Sequence, residues 1–108
     1  NREAASYSYL AKSADAQATM QKRVVETHIK NELSELNFLH EQVHSADENI
    51  KRAQSYYKST QSEYSRGVKN SPDVLAASQR LFEMRHKRLE ILRDFQISKG
   101  HLLSQLGQ

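Results

Sequence analysis

The sequence predicts an all-α fold in which two long antiparallel helices form a coiled-coil hairpin. Three observations predict it: a heptad repeat of apolar residues, one cluster of helix stop and start signals, and a composition rich in helix formers. One proline and three glycines among 108 residues are too few for a fold of many short elements. We expect a single domain with a first helix over about 3–66, a tip at 67–71 and a second helix over about 72–106.

The first helix is predicted from a seam in which apolar or small residues alternate spacings of three and four. Four such heptads indicate a coiled coil rather than an ordinary amphipathic helix. The seam comprises Leu36, Leu39, Val43, Ala46, Ile50, Ala53, Tyr57, Thr60 and Tyr64. A looser version of this spacing precedes it at Tyr7, Ala11, Ala14, Ala18, Val25, Ile29 and Leu33. Since neither Gly nor Pro interrupts residues 1–66, we expect one helix to run through this whole segment.

The second helix carries two adjacent apolar stripes. The first stripe comprises Val74, Ala77, Leu81, Met84, Ile91, Phe95 and Leu102. The second stripe comprises Leu75, Phe82, Leu89, Leu92, Leu103 and Leu106. Because a two-stranded hairpin needs only one seam, two stripes indicate helical neighbours on both sides. The second helix is also the shorter one, so we expect part of the first helix to find another partner.

The turn is predicted from adjacent stop and start signals. Gly67 suits the left-handed conformation that ends a helix, and Ser71 is a good N-cap. Pro72 suits the first helical position, and the charge of Asp73 complements the helix dipole. Gly107 reads as a second helix stop, whereas Gly100 lies inside the helical pattern and indicates close packing.

Composition and charge argue against several functions. The net charge of +3 could indicate nucleic-acid binding, but basic residues alternate with acidic ones, as where Lys22 and Arg23 are followed by Glu26. No apolar run is long enough for a membrane helix, and the first residues lack the basic head and apolar block of a signal peptide. If the chain is exported, we expect its signal to have been removed or to lie outside this segment. Cysteine is absent, and neither a nucleophile elbow nor a phosphate-binding glycine loop occurs. We therefore expect neither an enzyme nor a cofactor.

One motif resembles a catalytic site. His40 to His44 satisfy the H-E-x-x-H pattern of zinc peptidases, and Glu63 follows at the spacing of a third ligand. On one continuous helix, however, Glu63 would lie about 28 Å from His44, far beyond a coordination bond. We therefore expect a chance match on a solvated helix face, where the histidine pair still permits adventitious zinc binding. The other histidines, His28, His86 and His101, form no ligand pattern.

The tip resembles a known family. Residues 64–75, Tyr-Ser-Arg-Gly-Val-Lys-Asn-Ser-Pro-Asp-Val-Leu, and the Ala/Gln-rich segment after them resemble the periplasmic-tip motif of TolC-type outer-membrane efflux channels. That motif has Tyr-x-x-Gly, an acidic residue six positions after the glycine, and then Val-Leu. The C-terminal Leu-Leu-Ser-Gln-Leu-Gly at 102–107 also resembles the closing Leu-x-x-x-Gly pattern of the family. The resemblance is good over about 46–107 and only compositional before that.

The resemblance implies a passive conduit. Members of that family are homotrimers whose helical hairpins form a periplasmic α-helical barrel below an outer-membrane β-barrel. By this resemblance the chain is one hairpin, either an excised fragment or an unusual soluble relative, and we favour the fragment. It would lie in the periplasm, form part of an export conduit, and dock a periplasmic adaptor protein that links it to an inner-membrane pump. The alternatives are a generic coiled-coil interaction module or the hairpin of an adaptor.

The resemblance also implies roles for six residues. Tyr64, Lys69 and Asp73 match positions that hold the tunnel closed, and Gly67, Val74 and Leu75 match the surface that docks the adaptor. Two positions depart from the pattern: Ala76 stands where some members have a further acidic residue, and Asn70 replaces a frequent Ser or Thr. For Asp73 the alternative role is simply that of a charge at a helix start.

Overall fold

The computed structural model describes residues 2–107, which form two α-helices. Helix α1 spans Arg2–Ser65 and helix α2 spans Ser71–Gln105, so the predicted all-α fold of two long helices is confirmed. Contacts divide the chain into two units, Asn1–Ser34 and Glu35–Gln108. Within residues 2–107, neither helix has a stretch that is both long enough and apolar enough to cross a bilayer.

The second unit is an antiparallel hairpin whose core follows the predicted seam. Four side chains of α1, spaced seven residues apart, are buried: Leu39, Ala46, Ala53 and Thr60. Four from the first stripe of α2 are also buried: Ala77, Leu81, Ile91 and Leu102. Three of these eight residues are alanines, and small side chains allow two helices to pack closely.

One cluster of the core shows how the two helices meet. Leu39, Ala46 and Ile91 form a buried group, against which Val43 and Phe95 pack. Nearer the tip the seam becomes polar at Thr60, which is only 1% exposed. Its hydroxyl donates a hydrogen bond of 2.8 Å to the carbonyl oxygen of Tyr56, so burial of this polar group leaves no unsatisfied donor.

The prediction that the seam extends to Tyr64 is wrong, because this side chain is 50% exposed. The antiparallel register explains the difference. An ion pair sets Asp47 opposite Arg88, and the same register places Tyr64 opposite Ser71, the first residue of α2. Ser71 is polar and offers the tyrosine ring no apolar surface.

The first unit is a continuous stretch of α1 with little burial of its own. Ile29 is half-buried, and the other large apolar side chains are exposed: Tyr7, Tyr9, Leu10, Met20, Val24, Val25 and Leu33. A lone helix cannot bury an apolar face without a neighbour. This segment therefore leaves these apolar side chains accessible.

Candidate functional site: the hairpin tip

The tip begins where Gly67 ends α1. Its φ of +78° is left-handed, and its N–H donates to the carbonyl of Tyr64 at 3.0 Å. The N–H of Val68 donates to the carbonyl of Glu63 at 2.8 Å. This pair of bonds is a Schellman motif, which satisfies carbonyls that the end of a helix leaves without partners. The predicted role of Gly67 as a helix stop is therefore confirmed.

Val68 is the tip residue that the sequence reasoning missed. In a Schellman motif the residue after the glycine often packs on an apolar side chain one turn back in the helix. Here that position is Glu63, which offers no apolar partner, and Val68 stays 68% exposed. The sequence contains a signal for this exposed residue. It consists of a glycine stop, an apolar residue after it and an acidic residue four positions before the stop.

Helix α2 begins at a capping box formed by Asn70 and Asp73. The side-chain Oδ1 of Asn70 accepts from the N–H of Asp73 at 3.2 Å, and Oδ2 of Asp73 accepts from the N–H of Asn70 at 3.1 Å. The prediction of Ser71 as the N-cap is wrong by one residue. Asn70 takes the cap because its amide lies three positions before a carboxylate that can return the bond. Ser71 and Pro72 occupy the first turn instead.

The three residues expected to close a tunnel are near in sequence but are not joined. Tyr64 is exposed, whereas Lys69 and Asp73 are half-buried. Within residues 2–107 no hydrogen bond or ion pair links any two of them. Asp73 uses one carboxylate oxygen in the capping box, which leaves Oδ1 for another partner. A closing network at this tip would thus need groups from outside the hairpin.

The three residues expected to dock an adaptor differ in accessibility. Leu75 is 59% exposed, whereas Val74 is half-buried on the seam side. A methyl group added at Gly67 would meet no atom within 4 Å, so the glycine is required here by its φ and not by crowding. The accessible apolar side chains of the tip are accordingly Val68 and Leu75.

The second stripe begins on the far side of α2 near the tip and comes closer to the seam towards the C-terminal end of the helix. Its members Leu75, Phe82, Leu89, Leu103 and Leu106 are exposed, and Leu92 is half-buried. Ile97, which the sequence reasoning did not include, is exposed as well. Leu75 and Leu89 each precede a buried residue by two positions, which is about 200° around a helix. Helix α2 therefore has one apolar face against α1 and another on its opposite side.

Gly100 lies on the same far side of α2, and a methyl group added there would meet no atom within 4 Å. The expectation of close packing at Gly100 is thus not fulfilled by residues of this hairpin. The missing side chain leaves a shallow gap in the second stripe.

The motif at His40 to His44 does not form a peptidase site. Helix α1 is unbroken from Arg2 to Ser65, so Glu63 lies about 28 Å along the helix from His44. Among residues 2–107, no group of three or more His, Cys, Asp or Glu side chains is placed to hold a metal ion. Both histidines are exposed, as expected.

Comparison with known proteins gives one match. A family model described as "Outer membrane efflux protein" matches residues 1–108, the whole of the chain. No curated protein and no solved structure matches. The match extends through the first unit, where the sequence alone showed only a compositional likeness.

Proposed function

Because the chain belongs to the outer membrane efflux protein family, a family of transport channels and not of enzymes, we propose that it is a wall segment of an export conduit. In this proposal the hairpin lies in the periplasm as part of the α-helical barrel of a homotrimeric outer-membrane channel. The channel serves a tripartite efflux pump or a type I secretion system. The tip docks a periplasmic adaptor protein, which connects the channel indirectly to an inner-membrane pump.

The observation that carries the proposal is the exposed second stripe of α2. Burying a large apolar side chain is worth about 1.5–3 kcal/mol, so five exposed members form a strong driving force for association. Leu75, Phe82 and Leu89 lie on the side of α2 away from the seam, and a helix that is apolar on two such faces fits between two other helices. A closed ring of helices gives every helix two such neighbours.

The tip supports the docking role through its accessible backbone and side chains. Gly67 has open space around its α-carbon, and Val68 and Leu75 offer apolar contact on either side of the turn. The Schellman motif and the capping box fix the turn at both ends, so little conformational entropy is lost when a partner binds. Val74 supports this surface from the seam side.

Polar groups at the tip support the closing role of Tyr64, Lys69 and Asp73. Lys69 makes no ion pair within residues 2–107, and Oδ1 of Asp73 is outside the capping box. In a ring of tips these groups would pair with those of the neighbouring hairpins. Such a ring of polar contacts is a two-state element, which opens when an adaptor supplies better ones.

The assembly is tested by placing one charge on the second stripe of the full-length protein. Phe82→Glu and Leu89→Glu should abolish the trimer in outer-membrane extracts, because each buries a carboxylate at a helix–helix contact. Ser45→Glu is the matched control and should leave the trimer intact, because Ser45 is exposed and lies about 100° around α1 from the buried Ala46, between the two contact faces. Trimers are measured by chemical cross-linking and gel electrophoresis. Unchanged trimer yield for both stripe variants would overturn the wall role.

The docking role is tested by two substitutions at Gly67. Asn tolerates the left-handed conformation better than other non-glycine residues, so Gly67→Asn keeps the turn but adds a side chain to the surface. We expect this variant to form trimers but to lose two functions. It should no longer cross-link to the adaptor, and it should no longer export the compounds that accumulate in cells when the gene is deleted. Gly67→Leu also strains the left-handed turn, so the decisive variant is Gly67→Asn, which a generic coiled-coil module would tolerate in the same export assay.

A further inference from the structure

One motif is used neither by the fold nor by the proposed function: the histidines one turn apart on α1. We propose that His40 and His44 chelate a divalent late first-row transition ion, Cu²⁺, Ni²⁺ or Zn²⁺, on the polar face of the hairpin. Residues four apart on an α-helix have β-carbons about 5–6 Å apart, which allows two imidazoles to bind one ion. The unbroken helix fixes this separation, because α1 continues for more than five turns on either side of the pair.

Both imidazoles are accessible and available. His40 and His44 are exposed, and neither forms a hydrogen bond or an ion pair within residues 2–107. Two other histidines differ in this respect, since Nε2 of His28 lies 3.3 Å from Glu32 and Nε2 of His86 lies 2.9 Å from Glu90. The pair at 40 and 44 is therefore the place where two free imidazoles lie one turn apart in the described part of the chain.

Two carboxylates lie near the histidine pair. Glu48 follows His44 by one further turn on the same face, and Glu41 lies beside His40 in the sequence. The carboxylate of Glu48 lies 3.6 Å from Lys51, whose ammonium group offsets its charge, so the two imidazoles are the ligands that carry the site. Since the described residues hold no group of three ligands, water would complete the coordination and the ion would exchange readily.

The chemistry of the ligands selects the class of ion. Imidazole nitrogen suits copper, nickel and zinc, whereas calcium and magnesium prefer oxygen ligands. Affinity should rise from nickel to copper and fall again at zinc, following the general order for divalent ions. The pair faces away from the seam, since His44 precedes the buried Ala46 by two residues, and loading does not require the hairpin to open.

The test is electron paramagnetic resonance of the 108-residue chain with one equivalent of Cu²⁺ in a buffer that does not coordinate copper. We expect a nitrogen splitting pattern that includes both imidazoles. His40→Gln and His44→Gln should each remove this pattern and weaken copper binding, measured by calorimetry, by at least about tenfold. The double variant should lose little more than either single variant, because a chelate fails when either ligand is removed.

His101→Gln is the matched control, since this histidine is exposed and has no second histidine one turn away. It should keep the spectrum and the affinity of the original chain. Circular dichroism of each variant verifies that helix content is unchanged. Equal copper affinity in the His40→Gln, His44→Gln double variant, or a spectrum that responds to His101→Gln instead, would overturn the proposal.

Discussion

Nε of Arg88 donates a hydrogen bond of 2.5 Å to Oδ1 of Asp47, which joins the two helices of the hairpin between residues 41 apart in sequence. Arg88 continues the spacing of the first stripe at a position where its neighbours Leu81, Ile91 and Phe95 are apolar. A polar residue at such a position of a coiled coil fixes the register at some cost in stability. The pair therefore sets which residues of α1 and α2 face each other.

The first prediction concerns the strength of that pair. Its side chains are 37% and 43% exposed, so solvent screens the charges and the coupling energy should be about 0.5–1 kcal/mol. A double-mutant cycle of Asp47→Ala and Arg88→Ala, followed by urea denaturation, measures it. The exposed Lys22 and Glu26 pair, at 4.0 Å, is the control and should give less. Strictly additive effects at 47 and 88 would contradict the register role.

Gly67→Ala should destabilise the chain by about 1 kcal/mol, because alanine in a left-handed conformation brings its β-carbon close to the backbone. No steric clash adds to this cost, since the space around the α-carbon is open. Gly67→Asn should cost less. Thermal denaturation measures both, and a stabilising alanine would show that the left-handed turn is not populated.

The capping box predicts different effects for two neighbouring residues. Asn70→Ala should cost about 1 kcal/mol, because it removes the acceptor for the N–H of Asp73. Ser71→Ala should be nearly neutral, since its side chain does not cap the helix in this structure. Denaturation of the two variants side by side decides the assignment. The reverse order of effects would restore Ser71 as the cap.

Gly100→Ala should stabilise the isolated chain by about 0.5–1 kcal/mol, because alanine has the higher helix propensity and meets no neighbouring atom. Gly107→Ala is the control and should destabilise the chain, since the φ of Gly107 is +81°. If a neighbouring helix fills the gap in the assembled channel, Gly100→Ala should also lower trimer yield in the full-length protein. Destabilisation of the isolated chain would indicate a contact within the hairpin.

Much of the hairpin was predictable because its information is local. Heptad spacing identifies the residues that become buried, such as Leu39 and Ile91, and the glycine at position 67 identifies the end of α1. The same local reasoning failed at Tyr64, where the periodicity continues but the partner helix does not. Periodicity shows which face is apolar, and only the register shows where that face stops being covered.

The finer features of the tip depend on three-dimensional geometry, which the spacing of residues in the sequence does not specify. Asn70 and Ser71 are equally good caps by type, and the choice depends on which side chain reaches the N–H of Asp73. The exposure of Val68 depends on what lies one turn back. The pairing of Asp47 with Arg88 needs a register across 41 residues, which no local pattern specifies.

The central claim is that α2 stands between helices on both of its apolar faces. A cryo-electron microscopy structure of the full-length protein in the outer membrane or in a lipid nanodisc measures this directly. We predict a second helix packed on Leu75, Phe82 and Leu89, opposite to α1, within a ring of helices. A structure in which those three side chains face solvent, with α1 as the sole neighbour of α2, would contradict the account.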